Sequence, residues 1–125
     1  MSTLAPSFTV IRNDRAREIH WSAVGLWTEE DLLALQKELL SKAKPFIDER
    51  VRFRVLGDLR EFAVQPRDMA EKMRASQEAS AQLGVEKMAL VCASVLVKQQ
   101  FRRVSEALEC EFFETERDAM DWLRA

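Results

Sequence analysis

The run Met88-Ala89-Leu90-Val91-Cys92-Ala93 is apolar at every position. A strand with one wet face alternates polar and apolar side chains, whereas an unbroken apolar run implies cover on both faces. The segment therefore reads as a central strand, and its flanks supply elements to cover it. Before it, Met69, Met73, Ser76, Ser80 and Leu83 recur at spacings of three and four, the stripe of a helix. Pro66 suits the first turn of that helix, and Gly84 suits its end. The small Ser76 and Ser80 predict close approach to another backbone. After it, Val97, Phe101, Val104 and Leu108 predict a helix over about 95–108.

The same reading extends to both ends. Phe8–Ile11 and Ile19–Leu26 are rich in β-branched and aromatic residues, and Arg12-Asn13-Asp14-Arg15 between them favours a turn. They form an expected antiparallel hairpin. Thr28-Glu29-Glu30-Asp31 opens a helix with a capping hydroxyl and acids at the positive end of the dipole. Leu32, Leu35, Leu39, Ala43 and Phe46 form its buried stripe, with Pro45 near its end. Val51, Phe53 and Val55 alternate with Arg50, Arg52 and Arg54, a strand with one apolar and one wet face at least along its first half. Cys110–Glu114 is a short strand, and Thr115 caps a last helix that buries Ala119, Trp122 and Leu123. The order is ββαβαβαβα over one domain, residues 1–125. Strands separated by helices imply parallel pairing with right-handed crossovers. The fold class is α/β, a mixed and mostly parallel sheet led by an antiparallel hairpin.

Charge and cysteine content narrow the function. Nineteen Lys and Arg against 21 Asp and Glu leave a net charge of −2, with no basic run longer than two residues. Phosphate backbones are bound through a basic field, so nucleic acid is not an expected partner. Met1–Ser7 lacks the basic and apolar regions of a secretory leader, and no apolar stretch reaches the roughly 20 residues of a membrane span. The chain reads as cytoplasmic. Two cysteines and one histidine do not compose a structural zinc site, which takes four ligands. No metal or cofactor is indicated. In parallel neighbouring strands Cys92 and Cys110 fall toward opposite ends, so no disulfide is expected.

The segments Gly84–Val91, Glu111–Glu114 and Asp118–Leu123, the last closing on Trp122-Leu123, resemble a family. The chain is similar to the STAS-like superfamily, the SpoIIAA-like fold of bacterial anti-sigma-factor antagonists, in a small stand-alone branch. The resemblance implies near-sequential strand order with helices mainly on one face. It also implies a Ser or Thr phosphorylated at the start of the helix after the third strand. The matching stretch, Asp58–Pro66, holds neither residue type, so the switch is not carried over.

Open parallel sheets favour ligands at the carboxyl ends of their strands. Trp27, Asp58, Arg60, Ser94 and Thr115 fall there, and Lys98 lies one turn into the helix that Ser94 begins. Ser94 and Lys98 could hold an anion, but a plain cap and a solvated lysine are the more ordinary account of them. Asp58 and Arg60 make either a polar site or a structural ion pair. Trp27, at a strand end, looks the least constrained of the three tryptophans, since Trp21 and Trp122 lie on apolar stripes. His20 has no orienting acid or nucleophile beside it in the sequence, so no residue is assigned to catalysis. Lys98, Arg102 and Arg103 give a basic helix face, suited to solvent, an acidic partner or lipid headgroups.

These features predict a non-enzymatic interaction or regulatory domain working through a protein partner or a homodimer. The alternative is a carrier of a small apolar or anionic ligand, lipids included, with its pocket at the carboxyl ends of the strands.

Overall fold

The computed structural model describes residues 4–125; residues 1–3, the start of the segment read for a leader, lie outside that description. The elements are β1 (Ser7–Asn13), β2 (Glu18–Val24), α1 (Glu29–Asp48), β3 (Phe53–Asp58), α2 (Arg67–Gln82), β4 (Val85–Val91), α3 (Val95–Val104), β5 (Cys110–Phe113) and α4 (Glu116–Leu123). The sheet order is β1-β2-β3-β4-β5. The β1–β2 pair is antiparallel, and the remaining pairs are parallel. The ββαβαβαβα order and the mixed sheet are those expected from the sequence.

β4 is covered on both faces. On one face Met88, Leu90 and Cys92 join the large core with residues of α1, α2 and α3. On the other, Ala89 and Val91 pack with Leu56, Ala119 and Leu123 in a small cluster under α4. Three helices thus share one face and one helix takes the other.

Local chemistry sets the helix ends. The Thr28 hydroxyl accepts from Asp31 N, while Asp31 Oδ2 accepts from Thr28 N at 2.8 Å, a reciprocal capping box. Ser94 and Thr115 cap α3 and α4 in the same sense. After α2 the chain needs a left-handed residue, and Gly84 supplies it at φ +107°.

Three expectations need correction. The third helix ends at Val104, because the chain turns there and Leu108 donates its N–H to Ser105 O at 3.1 Å. The third strand begins at Phe53, since Arg50 takes a left-handed φ of +57° and Val51 stays outside the ladder. The arginine alternation holds along the first half of the strand, as expected, and its second half is covered on the other face too, where Leu56 is buried under α4. Ser76 and Ser80 were expected to sit against another backbone; instead both line open space facing α1, and Ser80 Oγ donates to Ser76 O of its own helix at 3.0 Å.

Both cysteines are free. Met88 pairs with Cys110 at the start of β5, whereas Cys92 N donates to Phe113 O at its far end, so the parallel register holds the thiols apart. Burial pushes the Cys92 thiol up to about 11 and the Cys110 thiol up to about 12.

Candidate functional site: an apolar cavity between two helices

The carboxyl ends of the strands are filled on the three-helix side. Trp27 is 5% exposed, and its ring lies 6.0 Å from Phe8 and 5.6 Å from Phe62, which in turn meets Phe101 at 5.9 Å. Both Trp27 N–H groups are bound: the indole donates to Val24 O at 2.7 Å and the backbone to Gln65 Oε1 at 3.0 Å. Far from being the least constrained tryptophan, Trp27 is held from every side. The void beside this cluster is only about 40 Å³.

The other sequence-predicted residues are engaged locally. Arg60 donates to Asp58 through Nε at 3.0 Å, Nη2 at 2.7 Å and its backbone N–H at 3.0 Å. The guanidinium holds the Asp58 carboxyl below its ordinary value, with burial opposing and the backbone bond assisting. Ser94 Oγ accepts from Val97 N at 3.3 Å, and Lys98 N donates to Ser94 O at 3.0 Å within the same turn. The structure thus joins Asp58 to Arg60 and Ser94 to Lys98, but gathers no site around all five residues.

His20 does have an acid beside it. Residues two apart share one face of a strand, and Glu18 Oε1 lies 2.9 Å from His20 Nε2. Glu18 is 0% exposed and takes two further bonds, each 2.9 Å, from Arg124 Nε and Nη2. Arg124 holds the Glu18 carboxyl below its ordinary value; burial opposes, and the His20 bond adds to the effect. Among the described residues no nucleophile is hydrogen-bonded to this group, and Ser22 Oγ bonds to Thr9 Oγ1 at 2.7 Å. The cluster ties the end of the chain to β2.

The large open space lies over the opposite half of the sheet, between the C-terminal halves of α1 and α2, and measures about 390 Å³. Its floor is Ile19 and Trp21 of β2, Phe53 and Val55 of β3, and Val85 and Met88 of β4. Trp21 lies flat because its register neighbour is Gly57: a Cβ there would sit 2.7 Å from the indole. Leu39, Leu40 and Ala43 form one wall. The other is Ala75, Ser76, Ala79 and Ser80, side chains too small to reach across, which is why the space stays open. Leu40 and Leu83 stand at the mouth and remain largely in solvent. Gln36 and Gln77 add amides, and none of the lining residues is ionisable.

The small residues of α2 were the sequence signal for this site. Their spacing announced one face of a helix, but not whether a neighbour would fill it. Among the described residues no group of three or more His, Cys, Asp or Glu is placed to hold a metal, and no helix is long and apolar enough to cross a membrane.

A family model described as SpoIIAA-like matches residues 19–124. Among solved structures, the chain is similar to an uncharacterized protein of the DUF3478 family with a SpoIIAA-like fold from Shewanella loihica. The TM-score is 0.72 at 22% identity, covering 98% of each chain. It is also similar to an anti-sigma factor antagonist from Mycobacterium paratuberculosis, with TM-score 0.62 at 13% identity over 95% of this chain and 96% of that one. No curated protein matches the chain.

Proposed function

The chain belongs to the SpoIIAA-like family, and from that premise we propose that it is a non-enzymatic binding protein whose α1–α2 cavity receives a small apolar molecule. The cavity itself carries this reading. Its volume of about 390 Å³ falls within the roughly 300–1,000 Å³ of small-molecule sites. At roughly 30 Å³ per water-sized unit it takes about a dozen heavy atoms. Its lining supplies apolar contact and no charge, so it suits retention rather than reaction. The ion pairs of Asp58 and Glu18 are satisfied within the fold, which leaves no titratable group poised over the cavity. We place the protein in the cytoplasm, where reducing conditions keep thiols free.

Native mass spectrometry of the protein purified from its own host tests the reading. The expected result is a co-purifying apolar compound that is lost in Ser80→Phe, a variant that fills the mouth. A chain that binds no apolar compound, or binds it equally well with Phe at position 80, overturns the proposal.

A second reading, protein contact, draws on different residues. Leu26, Val64, Val95 and Leu96 are exposed in the loops and first helical turn at the carboxyl end of the sheet. An antagonist-type partner or a second copy would cover them. With no Ser or Thr in 58–66, such contact would not be gated by phosphate in that stretch. Light scattering at high micromolar concentration tests the homodimer: a monomer there removes it.

A further inference from the structure

Resting on the cavity reading above, the geometry points to a neutral ligand bearing a hydrogen-bond donor, an apolar alcohol and not a free carboxylate. The inference comes from Gln77, which is 8% exposed and lines the cavity from α2. Its Nε2 lies 2.8 Å from Ser105 Oγ and 3.4 Å from Met88 Sδ. An amide nitrogen has two hydrogens, and both are directed to these neighbours. A thioether has no proton to give, so the nitrogen faces Met88 and the amide does not turn over.

Gln77 Oε1 then remains. It accepts no hydrogen bond among the described residues, yet none of their buried side-chain N or O atoms lacks a partner. The oxygen therefore reaches accessible space, and Gln77 lines the cavity and the small void beside it. A fixed carbonyl oxygen in an apolar wall attracts a donor and repels an anion. A carboxylate entering the same space would lose its water and find no cation, since no lysine, arginine or histidine lines it. A hydroxyl at the end of an apolar body satisfies the oxygen and leaves the rest of the ligand against Trp21, Leu39 and Val55.

The test compares three probes of nearly equal size: 1-octanol, heptyl methyl ether and octanoate at pH 8. Calorimetry measures affinity, and the NMR signal of the Gln77 side-chain amide reports the location. Octanol is expected to bind roughly three- to tenfold more tightly than the ether, the range of one net hydrogen bond. Octanoate is expected to bind at least about tenfold more weakly than octanol, the direction set by desolvating an unpaired charge. Gln77→Met is expected to erase the preference for octanol over the ether. Equal affinity of the wild-type protein for all three probes overturns the selectivity and leaves the cavity reading intact. Binding of none of them overturns the cavity reading and the selectivity with it. The wild-type comparison needs no variant, so it stands even if Gln77→Met does not fold.

Discussion

The two faces of the sheet are built differently. Under α4, the small cluster of Leu56, Ala89, Val91, Ala119 and Leu123 is sealed, with Ala89, Val91, Ala119 and Leu123 at 0% exposure. Beside it a buried carboxylate is bound by an arginine and a histidine. On the three-helix face the core is larger but leaves about 390 Å³ open between α1 and α2. Cover is therefore not the same as filling. The α4 face is short, and Ala89 and Ala119 let the helix settle directly on the strands. On the other face the void beside the aromatic plug is only about 40 Å³, and the large open space lies where α2 turns to alanine and serine. One face behaves as structure, and the other has room to bind.

This contrast is sharpest in the response to truncation. Leu123→Ala should cost about 3 kcal/mol, because a fully buried leucine leaves a void in a close-packed cluster. Leu40→Ala, at the open mouth, should shift stability by less than about 0.5 kcal/mol. Urea unfolding of the two variants compares the faces directly; equal losses would show that the α1–α2 region is as tightly packed as the α4 cluster. Gly57→Val should cost about 2 kcal/mol by overpacking. It pushes on Trp21, so the same variant should change tryptophan emission and weaken apolar ligands; unchanged emission would detach Gly57 from the cavity floor.

Filling the space should have the opposite sign. Ser80→Leu should raise stability by about 1 kcal/mol while abolishing ligand binding, the usual exchange between packing and a functional void. A loss of stability would mean that the cavity cannot accept a larger side chain.

The smallest effect belongs to the ion pair, because Arg124 reaches Glu18 from a half-exposed position where water screens it. Glu18 is held below its ordinary value of 4.5 in the folded chain. Its contribution is then fully present above about 4.5 and is lost as pH falls through the folded value. Asp58, also lowered, adds in the same direction. Urea midpoints should fall from pH 5 toward pH 3, and less steeply in Glu18→Gln; identical slopes would remove Glu18 from the acid response.

Much of the fold was legible because its causes are local. The apolar run from Met88, the capping residues Thr28, Ser94 and Thr115, and the left-handed Gly84 act within a few residues of themselves. The Glu18–His20 contact was missed, because the sequence reading starts the strand at Ile19 and leaves Glu18 outside it, although a spacing of two puts both on one strand face. The salt bridge from Glu18 to Arg124 was missed as well, because the partners stand 106 positions apart. Trp27 misled for a related reason: position at a strand end suggests freedom, but Phe8 and Phe62 come from two other segments to pack on it, and Phe101 backs Phe62.

By itself the chain determined which segments are strands and helices and in what order, because periodicity and capping are properties of neighbouring residues; the end of α3 and the start of β3 were settled by the turns around them. Tertiary structure decided where the interior stays empty. A void depends on volumes brought together from α1, α2 and three strands, and on the oxygen that Gln77 leaves unbound once Ser105 and Met88 have taken its hydrogens.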